Sequence, residues 1–231
     1  MELQEKKKNR TEQKTDMQNK EKVLLTQLDE IAKQDLCLAF SGGVDSSLLL
    51  KLVMDASAKY GTKVYAVTFQ TRLHPPCDLE TATRVAKEVG AVHEVLFVDE
   101  LEQEAIRYNP ENRCYYCKTG LFGTLQARAK ADGYTVLLDG TNASDDAGDR
   151  PGMKALTEMS VLSPLRLCGL TKAQIREFSR EAGLFTWDKP AYACLATRVP
   201  TGEAITEALL ARVEGAEQVL FSLGFTDFRV R

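Results

Sequence analysis

Between Leu36 and Ser47 an apolar run, Leu-Cys-Leu-Ala-Phe, breaks into Ser41-Gly42-Gly43-Val44-Asp45-Ser46, and apolar residues then recur at helical spacing at Leu48, Leu49, Leu52 and Val53. This order requires a buried strand to deliver a glycine turn straight to the first turn of a helix. Gly42 and Gly43 permit positive φ and close approach of a ligand to the backbone. The free N–H groups and positive dipole end of the new helix favour an anion there. Ser41, Ser46 and Ser47 add hydroxyls, and Asp45 can orient the loop or hold a magnesium ion. The turn reads as a phosphate site, although the spacing and lysine of the Walker loop are absent.

The rest of the chain alternates strand and helix. Val64–Phe69, Val92–Val98 and Val136–Asp139 have strand patterns, with helical patterns over Leu79–Val89 and Leu121–Ala131. That alternation predicts an α/β fold, a mostly parallel sheet with helices on both faces. Ligands of such sheets collect at the carboxyl ends of strands. Three places qualify here: the Ser41 turn, the segment Gln70–Pro76, and Gly140-Thr141-Asn142. Further on, Leu170–Gly183 has a helix start at Thr171 and a stop at Gly183. Ile205–Phe221 has a helical pattern, and Phe225–Arg231 is expected to be a strand. The first 20 residues form a polar tail or solvated helix, and a short amphipathic helix spans Val23–Ile31. The expected organisation is a tail (1–20), a nucleotide-binding domain (21–185) and a small C-terminal segment (186–231).

With 231 residues, 44% of them hydrophobic, the chain can bury one good core. Its 30 basic and 33 acidic residues leave a net charge of −3, which supplies no overall field for nucleic acid and favours a small-molecule substrate. The polar start offers no secretory segment, and no apolar run is long enough to span a bilayer. The expectation is a cytoplasmic protein whose six cysteines are reduced.

Cys114 and Cys117 form a C-x-x-C within Asn112-Arg113-Cys114-Tyr115-Tyr116-Cys117-Lys118. Two thiolates at this spacing can ligate one metal ion or cluster, and a redox dithiol is the other use of the pair. Its expected position, in a loop after Pro110, favours ligation. Cys194, between Pro190 and Pro200, is the candidate third ligand. Cys37 and Cys168 read as packing residues, and Cys77 receives no role. The two histidines, His74 and His93, have no second histidine at ligand spacing, which argues against a histidine metal site or a Ser-His-Asp triad. Gly140 to Asp146 places hydroxyl, amide and carboxylate groups at strand ends facing the phosphate turn; the plainer reading is an Asx turn. Arg166, Lys172, Arg198, Arg229 and Arg231 are the candidate phosphate-binding cations.

Ser-Gly-Gly-Val-Asp-Ser resembles the signature of the PP-loop ATP pyrophosphatases, which split ATP into AMP and pyrophosphate. A wider resemblance runs from about Val23 to Arg231. With the phosphate turn and the Asn112–Lys118 stretch, Asp139-Gly140-Thr141-Asn142-Ala143, Arg150-Pro151-Gly152, Ser163-Pro164-Leu165, Gly169-Leu170-Thr171-Lys172, Trp187-Asp188-Lys189-Pro190-Ala191, Cys194-Leu195-Ala196 and Phe228-Arg229-Val230-Arg231 resemble the LarE family. Its members are ATP-dependent sulfur transferases of nickel-pincer nucleotide biosynthesis.

The resemblance implies that ATP adenylylates a carboxylate of a pyridinium mononucleotide, and that a sulfur nucleophile then displaces AMP to leave a thiocarboxylate. It implies ATP and Mg2+ at Ser41, Gly42, Gly43, Val44, Asp45, Ser46, Phe69, Gly140, Thr141 and Lys172. Cys194, Arg198, Arg229 and Arg231 are implied as catalytic. Some members give up the sulfur of the cysteine matching Cys194; others hold a 4Fe–4S cluster on three cysteines, here Cys114, Cys117 and Cys194. A homo-oligomer is implied as well. Family members usually continue past Arg231, so a truncated C-terminal segment is expected, and residues 1–20 are unmatched. The rival readings are an NAD- or GMP-synthetase-type amidating ligase, a tRNA thiolase, a zinc site, and a non-catalytic ATP-sensing or iron–sulfur storage module.

Overall fold

A computed structural model describes residues 2–74, 76–145, 150–226 and 228–231. Helix α1 (Glu2–Ile31) leads into strand β1 (Leu36–Ala39). There follow α2 (Val44–Ala58), β2 (Val64–Thr71), α3 (Pro76–Val89), β3 (Val92–Val98), the short α4 (Glu104–Arg107), α5 (Arg113–Ala131) and β4 (Val136–Leu138). The helices of the remainder are α6 (Arg150–Glu158), the short α7 (Pro164–Leu167), α8 (Lys172–Glu181) and α9 (Glu207–Ser222).

The four strands pair in the order β3-β2-β1-β4, all parallel. Leu36 of β1 stands opposite Val64 of β2 and Val136 of β4. The chain winds outward from β1 through β2 to β3, then returns to place β4 on the other side of β1. That reversal opens a crevice beyond the carboxyl ends of β1 and β4, where open α/β sheets bind ligands.

Alternation along the strands separates two cores. Leu36, Leu38, Val64 and Ala66 pack with Leu24 and Leu28 of α1, Leu48 and Leu49 of α2, Val85 of α3 and Ile175 of α8. Cys37, Tyr65, Val67 and Leu137 face the other way, against Phe122, Leu125 and Ala129 of α5 and Leu156 of α6. Helices therefore cover both faces, as the apolar runs require. A third cluster joins Leu73 and Ile106 to Leu195, Ala196, Val199, Ile205, Leu210 and Val213. It seats the segment carrying Cys194 on the loops that follow β2 and β3.

Three expectations change. The tail and the amphipathic helix are one helix of 30 residues, of which Leu24 and Leu28 are fully buried. Helix α5 begins at Arg113, eight residues before the apolar pattern starts at Leu121, so the cysteine pair lies in its first turns rather than in a loop. Residues 225, 226 and 228–231 are irregular, not a strand. Val230 instead donates its N–H to Glu217 Oε1 at 3.0 Å, so the backbone group a strand would pair is taken by a carboxylate. Among the described residues no helix is long and apolar enough to cross a membrane.

Candidate active site

The phosphate turn is built where three elements meet. Gly42 has φ +71°, and a Cβ there would lie 2.6 Å from the backbone nitrogen of Ala82 in α3. A Cβ on Gly140, just after β4, would lie 2.9 Å from the backbone nitrogen of Ser46. Both glycines are needed for backbone to meet backbone. Gly43 caps α2 without a side-chain bond, leaving the first turn of the helix open to an anion. Ser41 and Ser46 hold the turn's shape through their hydroxyls, 3.1 Å apart.

Asp45, in the first turn of α2, accepts a hydrogen bond from Lys172 Nζ on its Oδ2, while its buried Oδ1 has no partner. Burial pushes the Asp45 carboxyl above the usual range, and Lys172 opposes the shift. Thr171 and Gln174 cap α8 reciprocally, and the Lys172 N–H donates to Ser144 Oγ at 3.0 Å. Asp139 receives hydroxyls from Ser163 at 2.5 Å and from Thr141, yet burial still raises its carboxyl. Arg166 Nη1 donates to the carbonyls of Asn142 and Asp145, at 3.3 and 3.0 Å, and so braces the loop after β4.

A cavity of about 450 Å³ opens over these loops, lined by Ser41, Asp45, Ser46, Phe69, Asp139, Gly140 and Thr141. Gln70 and Thr71 from the end of β2 line it too, and so do Arg113, Cys114, Cys117, Lys118 and Cys194. All three cysteines thus share one cavity with the phosphate turn. Gly42, Gly43 and Val44 shape the turn without lining the cavity, and Lys172 acts through Asp45.

Arg113 is 7% exposed; its Nη2 lies 3.5 Å from Cys114 Sγ, and its Nη1 has no hydrogen-bond partner. Burial pushes the Cys117 thiol up to about 12 and raises that of Cys194, against the pull of Arg113. The backbone at Cys194 is fixed from several sides. The Leu195 N–H donates to Leu73 O at 2.8 Å, and the Cys194 carbonyl accepts from Thr197 N and Oγ1, both at 2.9 Å. Asn109 Nδ2 reaches Val199 O at 2.6 Å and also meets the carbonyls of Ala196 and Pro200.

The remaining predicted cations lie elsewhere. Arg198 is buried, pairs with Glu217, and donates to the carbonyls of Ala193 and Cys194 at 2.7 and 3.2 Å. It holds the cysteine loop and has no free edge for a phosphate. Arg229 and Arg231 are exposed and do not line the cavity. Cys37 is fully buried in β1, while Cys168 is half-buried with its thiol 3.1 Å from Gln27 Oε1. Pro75, Asp146 and the side chain of Cys77 lie outside the described residues.

Among the described residues no three His, Cys, Asp or Glu side chains are gathered to hold a metal ion. Arg113, Lys118 and Asp139 went unassigned in the sequence, although a signal was present. Arg113, Cys114, Cys117, Lys118 and Leu121 fall at i, i+1, i+4, i+5 and i+8, one stripe of a helix.

Residues 27–146 match the asparagine synthase family. The chain is 34% identical over 198 residues to pyridinium-3,5-bisthiocarboxylic acid mononucleotide synthase of Lactiplantibacillus plantarum, covering 86% of this chain and 71% of that protein. It is 41% identical over 194 residues to an uncharacterised protein of Synechocystis sp., covering 84% of this chain and 71% of that one. NMN synthetase from Francisella tularensis shares the fold, with a TM-score of 0.58 at 14% identity, covering 89% of this chain and 92% of that one.

Proposed function

Because the chain belongs to the LarE family of ATP-dependent sulfur transferases, within the PP-loop superfamily, we propose that it converts a carboxylate of a pyridinium mononucleotide to a thiocarboxylate. The observation that carries this reading is the shared cavity: a phosphate turn and three cysteines open onto one space of about 450 Å³. An amidating ligase has no use for the three sulfurs.

The turn from Ser41 to Ser46 takes the phosphates of ATP, and Asp45, whose Oδ1 has no partner, would hold a magnesium ion that would supply positive charge to them. A carboxylate oxygen of the acceptor attacks the α-phosphorus, the bond to pyrophosphate breaks, and pyrophosphate leaves. A sulfur nucleophile then adds to the acyl carbon, and AMP departs with the former carboxylate oxygen. Binding both reactants in one cavity makes each displacement effectively unimolecular. In this scheme residues 21–185 bind nucleotide and residues 186–231 carry Cys194.

The donor set suits a 4Fe–4S cluster, for which Cys114, Cys117 and Cys194 would be the ligands. Their thiols line the same cavity, where burial raises those of Cys117 and Cys194 and the Arg113 charge opposes the shift. Such a cluster would supply a site for the transferable sulfide. A homo-oligomer and a cytoplasmic location belong to the same proposal.

The test is anaerobic purification of the wild type and a Cys114→Ala variant, followed by assay of iron, acid-labile sulfide and zinc. Iron and sulfide in cluster proportion, lost in the variant, support the cluster. Absence of both from the wild type sinks it, and the sulfur is then sought on Cys194, as a mass loss after one turnover. Pyrophosphate release that does not depend on a carboxylate acceptor would remove the transferase reading itself.

A further inference from the structure

Arg113 carries a buried positive charge that the protein leaves partly unpaired. Its side chain lines the cavity, its Nη2 faces Cys114 Sγ at 3.5 Å, and its buried Nη1 has no acceptor. A guanidinium taken out of water without an acceptor on each edge is costly, so a ligand that supplies one is favoured there. A second observation points the same way. Arg113 is the first residue of the 19-residue helix α5, whose N-cap residue Asn112 makes no side-chain bond. The positive end of α5 therefore adds to the field of the guanidinium.

Resting on the transferase reading, the chemistry names the anion. A bisthiocarboxylic product needs an acceptor with two carboxyl groups. While one is adenylylated and attacked, the other remains in the site as a carboxylate, or as a thiocarboxylate in the second round. We propose that the Arg113 guanidinium, which lines the cavity, binds this non-reacting group, making Arg113 the residue that selects dicarboxylate over monocarboxylate nucleotides. Its planar fork suits a carboxylate, and a sulfur in place of one oxygen keeps the charge it recognises. Because Nη2 lies beside Cys114, the same contact would hold the pyridinium ring next to the sulfurs.

The test is calorimetric binding of two pyridinium mononucleotides, one with carboxylates at positions 3 and 5 and one with a single carboxylate at position 3. Wild type, Arg113→Gln and Arg113→Lys are compared, with ATP affinity and thermal unfolding as controls. Wild type should bind the dicarboxylate more tightly, and Arg113→Gln should weaken that binding by roughly 10- to 100-fold, the loss expected for a charged hydrogen bond. Monocarboxylate and ATP binding should be nearly unchanged. Arg113→Lys, which keeps the charge, covers the case in which the glutamine variant fails to fold and should retain part of the preference. Equal weakening of both nucleotides, or a wild type that does not discriminate, overturns the assignment. Acceptor-dependent pyrophosphate release by the wild type, measured separately, reports on the transferase reading alone.

Discussion

Arg198 and Glu217 form a two-pronged ion pair, with Nε to Oε1 at 2.8 Å and Nη2 to Oε2 at 2.9 Å, and the two side chains are 2% and 1% exposed. The pair ties the turn after Cys194 to α9, and Glu217 also accepts the Tyr192 hydroxyl and the Val230 N–H. Removing one partner leaves a buried charge uncompensated, so Glu217→Gln or Arg198→Met should destabilise by about 3–5 kcal/mol. The Arg198→Met, Glu217→Leu double variant should lose less than the sum of its parts. Denaturant unfolding of the single and double variants measures both effects.

The same pair predicts a pH dependence. Burial alone would raise the Glu217 carboxyl, but Arg198, Tyr192 and Val230 outweigh it and hold the group below its ordinary value. A lowered folded pKa means that its stabilisation is complete above the ordinary glutamate range and is lost as pH falls through the folded value. Urea midpoints taken from neutral to acid pH should therefore fall more steeply in wild type than in Glu217→Gln. Equal slopes would count against it.

At the phosphate turn, backbone packing leaves no room for a methyl group. Gly42→Ala would combine a φ of +71° with a Cβ 2.6 Å from Ala82 N, and Gly140→Ala would press on Ser46 N at 2.9 Å. Each should cost about 1–3 kcal/mol through overpacking. Each should also lower ATP affinity by about tenfold or more, read by calorimetry.

Lys172 restrains a carboxyl that burial pushes upward. If the ionised form of Asp45 serves ATP·Mg2+, affinity rises with pH through the folded pKa of Asp45. Lys172→Met removes the cation opposing the shift, so the midpoint of the affinity–pH curve should move to higher pH. An unmoved midpoint would separate Asp45 from nucleotide binding.

Asn109 is a clamp in a left-handed conformation, with φ +44° and its amide on the carbonyl of Val199. Asn109→Gly keeps the backbone and removes the clamp, which should cost about 1–3 kcal/mol through the unpaired buried carbonyls. Because the clamp holds the turn after Cys194, acceptor thiolation should slow more than ATP–pyrophosphate exchange. Parallel assays of the two steps measure the split.

What the chain alone determined is local. Apolar runs ending in a glycine turn, the Thr171 start and the Gly183 stop depend on neighbours a few residues apart. β3 accordingly spans the predicted Val92–Val98, and α8 starts and stops at the predicted signals. The Ser41 and Gly140 loops meet because a parallel sheet brings its strand ends to one edge. The partners of buried charges needed the tertiary structure. Arg198 finds Glu217 across 19 residues of sequence, and Arg113 shares a cavity with Cys194 across 81, distances over which periodicity carries no information. The polar first turns of α5 lacked the apolar stripe that marks a helix, because that face turns toward the cavity rather than a packed core. Folding thus placed an arginine committed to holding the cysteine loop where the sequence suggested a phosphate ligand, and set a partly unpaired one beside the sulfurs.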